Sequence, residues 1–227
     1  MAGTTDDPGR DEAVPASAAA CPTPKQGVWR GSDAAVDAVA ITFDDGPSAQ
    51  TRAILRALRR HRAKATFFVV GREIPGREGV LRRAARDGHE LGNHSTSHSA
   101  LPSRADIATT SNLIARTTGH QPCVFRPPEG KTSGRLLRDV RRLGMTTVAW
   151  DVDSGDWASQ QPAAIRDRAL AGVREGSIVL MHDGGGERAG TARSVSAVID
   201  GLRKQGSELV TVSEMLGDAP TLDPPDR

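Results

Sequence analysis

Two histidines four residues apart, His94 and His98, and two adjacent aspartates, Asp44 and Asp45, have the clearest chemical potential in this 227-residue sequence. On a helical turn, a four-residue spacing points both imidazoles the same way. Two imidazoles and one carboxylate, with a fourth position open, make a catalytic zinc-type ligand set. Either Asp44 or Asp45 can supply the carboxylate. Cobalt or nickel would also suit one such site, because affinity order alone does not choose among these metals. The aspartate pair needs its own account. Asp45-Gly46-Pro47 reads as a turn, which leaves Asp44 at the end of an apolar run. Two carboxylates there are costly without a cation or a strong donor. A divalent metal together with Arg126 would supply the positive charge. With two cysteines in the whole sequence, a closed Cys-rich structural zinc site is not expected.

Short apolar runs precede each of these polar clusters. Residues 38–43 (AVAITF) lead into Asp44-Asp45-Gly46-Pro47, and residues 90–92 lead into the segment from Asn93 to His98. Residues 124–125 precede Arg126-Pro127-Pro128-Glu129-Gly130, residues 145–150 (MTTVAW) precede the segment from Asp151 to Trp157, and residues 177–181 (SIVLM) precede His182-Asp183. Two further runs are 65–70 (ATFFVV) and 209–212 (LVTV). Most are β-branched or aromatic and bounded by Gly, Pro or Asp, which reads as strands. Between them, residues 51–61, 78–87, 105–118, 134–143, 162–173 and 191–205 read as helices. Gly88, Gly144 and Gly206 stand where C-terminal helix glycines belong. Alternating strands and helices imply parallel strands with right-handed crossovers. About seven units suggest an α/β fold of distorted (β/α)7-barrel type, with an open doubly wound sheet as the alternative. In either, functional residues gather beyond the carboxyl ends of the strands, and every polar cluster falls on that rim.

The composition narrows the classes. Lys plus Arg is 30 and Asp plus Glu is 28, a formal net charge of +2, with 37% hydrophobic and 26% charged residues. That is a globular balance. No apolar run approaches the ~18 residues of a membrane span. The arginines are dispersed, and aromatics are few (four Phe, three Trp, no Tyr), which argues against a nucleic-acid partner. In the 51–61 helix, Arg52, Arg56, Arg59 and Arg60 oppose Ile54, Leu55 and Leu58 and read as a solvated face. Residues 1–27 and 217–227 lack periodicity and are expected to be a flexible lead-in and a disordered tail around one domain at 28–216. The first residues lack a basic region followed by an apolar stretch, so either the protein is cytoplasmic or its export signal is absent from this chain. Cys21 and Cys123 permit one disulfide, which the chain-entropy model values at roughly 4–5 kcal/mol. Two unrelated thiols are the other reading.

Five segments in this order carry a resemblance: TFDDGP (42–47), HSTSH (94–98), RPPEG (126–130), DSGDW (153–157) and LMH (180–182). They resemble the motifs of the polysaccharide deacetylases, the NodB-homology domain of carbohydrate esterase family 4. The ending LVTVSEML resembles that domain's last strand and short helix. The resemblance spans roughly residues 38–216. It implies a metal-dependent enzyme that removes N-acetyl groups from N-acetylglucosamine units of peptidoglycan or chitin-type chains. An O-acetyl esterase acting on acetylated xylan is the nearest alternative, and an idle sugar-binding domain a remote one. By resemblance, Asp45, His94 and His98 would hold the metal, and Asp44 would be the general base, paired with Arg126. His182 would be the general acid, oriented by Asp156. The Glu129 backbone N–H would stabilise the oxyanion, and Trp157 and Leu180 would line the acetyl pocket. A polysaccharide substrate implies an extracellular or cell-envelope location, and a monomer is expected. Glu129 departs from the aromatic or glycine usual at its position; its side chain either favours a cationic or hydroxyl-rich substrate group or simply faces solvent, as an exposed Glu commonly does.

The chemistry of amide hydrolysis asks for the same parts. It needs an activated water, a stabilised oxyanion and a proton for a poor leaving amine. Histidine is the side chain that can hold such a proton near neutral pH.

Overall fold

The computed structural model describes Cys21, residues 23–31 and residues 37–217. The chain runs β1 (Val28–Trp29), β2 (Ala38–Asp44), α1 (Thr51–Arg60), β3 (Thr66–Val69), α2 (Glu78–Arg86), β4 (Glu90–Asn93), α3 (Arg104–Thr118) and β5 (Val124–Phe125). It continues with α4 (Gly134–Arg142), β6 (Thr146–Val148), β7 (Val152–Asp153), α5 (Pro162–Leu170), β8 (Ile178–His182), α6 (Ala189–Lys204), β9 (Glu208–Leu209) and α7 (Val212–Met215). The strands lie side by side in the order β1-β6-β5-β4-β3-β2-β8-β7, with β9 pairing β2 as a branch. Every strand pair is parallel.

Connectivity shows that this sheet curls. β6 lies near one end of the order and β7 forms the other, yet only Ala149, Trp150 and Asp151 separate them in sequence. A chain advances at most ~3.6 Å per residue, so the two ends must approach each other. The result is a curled, nearly closed parallel barrel with helices outside.

Strand alternation then sorts the side chains. In β2, Val39, Ile41 and Phe43 belong to the apolar layer shared with α1 and α6, while Ala40 belongs to the barrel interior. Thr42 and Asp44 share the parity of Ala40. β8 repeats the pattern, with Val179 and Met181 outward and Ile178 inward, so His182 shares the inner parity. β2 and β8 pair in register, which sets Asp44 opposite His182. α7 closes the far end of the interior with Val212, Met215 and Leu216. Its first turn is held by a capping box between Thr211 and Glu214.

Several sequence expectations need adjusting. The run 145–150 is not one strand: β6 ends at Val148 and β7 begins at Val152. Asp151 turns the chain there, its carboxylate accepting from Ser177 Oγ and Ile178 N. The run 209–212 is shared between β9 and the start of α7, because Thr211 is used as the N-cap. β1, too short to show periodicity, extends the sheet beside β6. The lead-in and tail expected at 1–27 and 217–227 fall largely outside the described residues. Within them, Cys21 is disulfide-bonded to Cys123, and Lys25 N donates to Thr146 Oγ1 at 3.1 Å.

Candidate active site

Asp44 ends β2 almost wholly buried. Its Oδ1 accepts from Arg126 Nη1 at 2.7 Å. Arg126 is fully buried and follows β5 directly. The same Nη1 donates to Thr42 Oγ1, and Nη2 donates to the Ala149 carbonyl at 3.0 Å. The guanidinium carbon lies 4.0 Å from the Phe68 ring centroid, a cation–π contact. Burial pushes Arg126 below its usual value, and Asp44 opposes that. Arg126 is thus the positive partner that the aspartate pair required.

Asp45 turns the other way. Its backbone is left-handed, with φ 73°, and a cis Gly46-Pro47 bond follows. Its Oδ1 lies 3.4 Å from His94 Nε2 and 3.0 Å from His98 Nε2. The structure therefore brings Asp45, His94 and His98 together, with Asp44 committed to Arg126. The histidines reach this place without a helix. Ser95 and His98 have φ of 66° and 57°, and side-chain bonds hold the loop. Ser95 N donates to Asn93 Oδ1, His98 N donates to Ser95 Oγ, and Thr96 N donates to Asp106 Oδ2 on α3. No helical turn forms here, because Asn and Ser side chains satisfy this backbone locally.

The donor chemistry fits a divalent cation. His94 Nδ1 lies 2.7 Å from the Arg126 carbonyl. A carbonyl only accepts, so Nδ1 carries the proton and a neutral ring turns the Nε2 lone pair toward Asp45. Asp45 Oδ1 is itself buried without a hydrogen-bond partner. Acceptors facing acceptors need positive charge between them. The ligand atoms of Asp45, His94 and His98 all lie within 4.8 Å of one another. Positive charge can come from a bound cation or, without one, from protons on the rings: burial raises Asp45, but imidazoles that donate to it outweigh burial and hold it well below the ordinary carboxylate range. Asp45 in turn raises His98.

Across the rim, His182 is hydrogen-bonded twice to one carboxylate. Its Nδ1 lies 2.7 Å from Asp156 Oδ1, and its N donates to Asp156 Oδ2 at 2.8 Å. Thr191 Oγ1 also donates to Oδ2. Asp156 is fully buried. Burial works against its charge, yet His182 and Thr191 hold it below the usual range. Burial likewise lowers His182, but Asp156, aided by the fields of Asp44 and Asp45, lifts it above the ordinary imidazole value.

Glu129 lies in a short 3-10 turn, Pro128–Gly130, with φ 57°. A Cβ on the next residue, Gly130, would come within 3.1 Å of Trp150, so the turn lies flat against that ring. The Glu129 side chain is exposed and paired with Lys131 Nζ at 2.6 Å, which holds its carboxyl below the usual range. Leu180 is buried, whereas Trp157 stands 61% exposed. Asp153 connects them: it pairs with Leu180 in register and accepts from Trp157 Nε1 at 3.3 Å.

Asp183 escaped the sequence reading. It is buried under Gly46, where a Cβ would sit 2.1 Å from Asp183 Oδ2. Burial pushes it up to about 7, and the charges of Asp45 and Asp44 act in the same direction. Thr51 Oγ1 donates to its carboxylate, Ser48 Oγ donates to its carbonyl, and its N donates to the Asp44 carbonyl. The signals for it were the Gly after the aspartate pair and the Asp after His182.

Residues 31–148 match the sequence model of a family described as Polysaccharide deacetylase. The peptidoglycan-N-acetylglucosamine deacetylase PgdA of Listeria monocytogenes is 35% identical over 187 residues, 79% of this chain. The chain spans 39% of that relative's length. Among solved structures, a peptidoglycan N-acetylglucosamine deacetylase bound to 4-naphthalen-1-yl-N-oxidanyl-benzamide superposes with a TM-score of 0.81 and 30% identity, covering 85% of this chain and 94% of the other. A family 4 acetyl xylan esterase from Clostridium thermocellum, in complex with a cobalt ion, superposes at 0.74 with 34% identity, covering 79% and 90%.

Proposed function

The chain belongs to the polysaccharide deacetylase family, and from that membership we propose that it removes N-acetyl groups from N-acetylglucosamine units of peptidoglycan or a chitin-type chain. The observation that carries this reading is an acid–base pair facing across one rim. Asp44, held by Arg126, stands opposite His182, held by Asp156, and Asp45, His94 and His98 converge on the Asp44 side.

A divalent cation bound by Asp45, His94 and His98, zinc first and cobalt or nickel also suitable, would polarise the acetyl carbonyl and acidify water. Asp44 accepts the proton of the attacking water; Arg126 fixes the carboxylate so that one oxygen stays available. His182 gives its Nε2 proton to the leaving amine, and Asp156 keeps Nδ1 engaged so that Nε2 is the acidic position. The Glu129 N–H is the one backbone donor in Pro127-Pro128-Glu129, and it serves the developing oxyanion. Trp157 and Leu180 border the acetyl group. The Glu129 carboxylate, paired with Lys131, marks the edge of the groove.

The disulfide supports an oxidising compartment, and a wall polymer as substrate agrees with an extracellular or envelope location. We read the catalytic unit as a monomer. The cobalt-bound xylan esterase favours a second reading, O-deacetylation of xylan by the same residues. Acetate release from peptidoglycan, chitin oligomers and acetylated xylan, each with and without a chelator, separates them. Chelator-sensitive release from a glucosamine polymer is expected. Release from xylan alone would transfer the same site to ester hydrolysis, and release that ignores the chelator would remove the metal from the reading.

A further inference from the structure

The arginines of α1 look like a solvated face when that helix is taken alone. In the fold they meet those of α2. Arg52, Arg56 and Arg59 from α1, with Arg83 and Arg86 from α2 and the adjoining Asp87, line one groove of about 400 Å³. Arg83 is bonded to Asp87 at 2.7 Å. Among the described residues, Arg52, Arg56, Arg59 and Arg86 have no carboxylate partner. The groove holds more positive charge than the whole chain's formal net of +2.

Such crowding has a physical cost. Arg52 and Arg56 are spaced i,i+4, and Arg56–Arg59 and Arg83–Arg86 are spaced i,i+3; like charges at these spacings repel along a helix. An anion in the groove would relieve all of them at once. Guanidinium groups grip phosphate oxygens in a bidentate fork. The groove is elongated by its construction: Arg52 and Arg59 are separated by about 10 Å of helix rise. α1 starts at the catalytic rim, where Thr51 bonds Asp183, so Arg52 stands at the rim end and Arg59 toward the opposite end.

The surroundings select among polyanions. No aromatic residue lines the groove, so it offers no platform for stacking bases. The exposed large hydrophobics among the described residues are Leu101 and Trp157, neither on α1 or α2, so a membrane would find no apolar anchor there. We propose that the α1–α2 groove docks a linear poly(polyol phosphate), a phosphodiester polymer without bases, laid from the catalytic rim toward the far end of the barrel. The groove shares no residue with the catalytic cluster, so the proposal stands apart from the deacetylase reading.

The test is a fluorescence-anisotropy titration of the full chain with labelled poly(glycerol phosphate), repeated across salt from about 50 to 300 mM. Wild type is expected to bind with an affinity that falls steeply with salt. Joint replacement of Arg52, Arg56, Arg59 and Arg86 by Gln should weaken binding about tenfold or more and flatten the salt slope. Its acetate release from chitin oligomers should stay within about twofold of wild type, since no catalytic group is touched. Lysine at the same four positions should bind between the two, keeping charge but losing the fork. If the glutamine variant does not fold, the pair R56Q and R86Q carries the comparison. Equal binding by wild type and the glutamine variant would overturn the proposal. So would the lack of binding at low salt, or tighter binding to an oligo(dT) strand or to phosphatidylglycerol vesicles.

Discussion

On the β8 side of the rim, His182, Asp156 and Thr191 satisfy one another through short hydrogen bonds, and nothing further is required to hold them. On the β2–β4 side, Asp45, His94 and His98 bring together a buried carboxylate oxygen without a partner and imidazole nitrogens 3.0–3.4 Å away. The first arrangement is complete in the polypeptide. The second becomes complete when a cation joins it. The backbones differ to match: His182 is a strand residue in register with Asp44, whereas Asp45, Ser95 and His98 all have positive φ, a conformation costly for residues with a Cβ and tolerated where the surroundings enforce it.

The largest effect should follow from breaking the incomplete side. His94→Ala removes one of the three proposed ligands and the bond to the Arg126 carbonyl. Metal titration is expected to show lost affinity, and acetate release should fall to background. Retained metal affinity would mean that the cluster is a hydrogen-bonded loop and nothing more. Asp44→Asn comes next. It keeps the shape and the Arg126 contact but removes the proposed base, so turnover should drop by about 10²–10⁴ while metal binding persists. Near wild-type turnover would transfer the base to another group.

The complete side is tested through pH. Asp156 raises His182 above the ordinary imidazole value. The alkaline limb of kcat follows loss of the imidazolium proton, so it should lie above the usual histidine range. Asp156→Asn removes the charge, and that limb should move to lower pH. A change in amplitude with no movement of the limb would make Asp156 a structural neighbour only.

Legibility in sequence followed the same division. Asp44, Arg126 and His182 were readable because each follows an apolar run, and in a parallel sheet that places them on one rim. By residue type and spacing Asp45 could not be told from Asp44 as a ligand; only the resemblance chose between them. The distinction depends on Asp45 leaving the strand with φ 73° while Asp44 keeps its inner parity. His94 and His98 were visible by their spacing, but the loop that carries them was not, because periodicity does not register the bonds of Asn93 and Ser95. Asp183 was hidden for a related reason: its burial comes from the Gly46 surface above it, which is close in space and 137 residues away in sequence. The convergence of α1 and α2 arginines was invisible to any single-helix pattern.

A second orphaned group shows what an unsatisfied atom does when no partners converge on it. His89 is buried with neither ring nitrogen bonded, its ring edge-on to Phe67 at 5.6 Å. Among the described residues no group hydrogen-bonds it, and Asp87 and Lys64 reach it only through their fields, in opposite directions, so it has orphaned polar atoms like Asp45 without the ligand geometry. Burial lowers it to about 4 from 6.5. Between those values the unfolded chain binds more protons than the folded one, so stability falls as pH drops through 6.5 and continues to fall down to about 4. The shift corresponds to roughly 3 kcal/mol at full effect. His89→Phe removes the titration and both orphaned nitrogens while keeping an aromatic ring against Phe67. It should raise the melting temperature at pH 4–5 relative to wild type, change it less at pH 8, and leave acetate release unaltered. An equal shift at both pH values would assign the gain to packing. A loss of turnover approaching 10²-fold, the scale of a missing acid or base, would mean that this histidine belongs to the site after all.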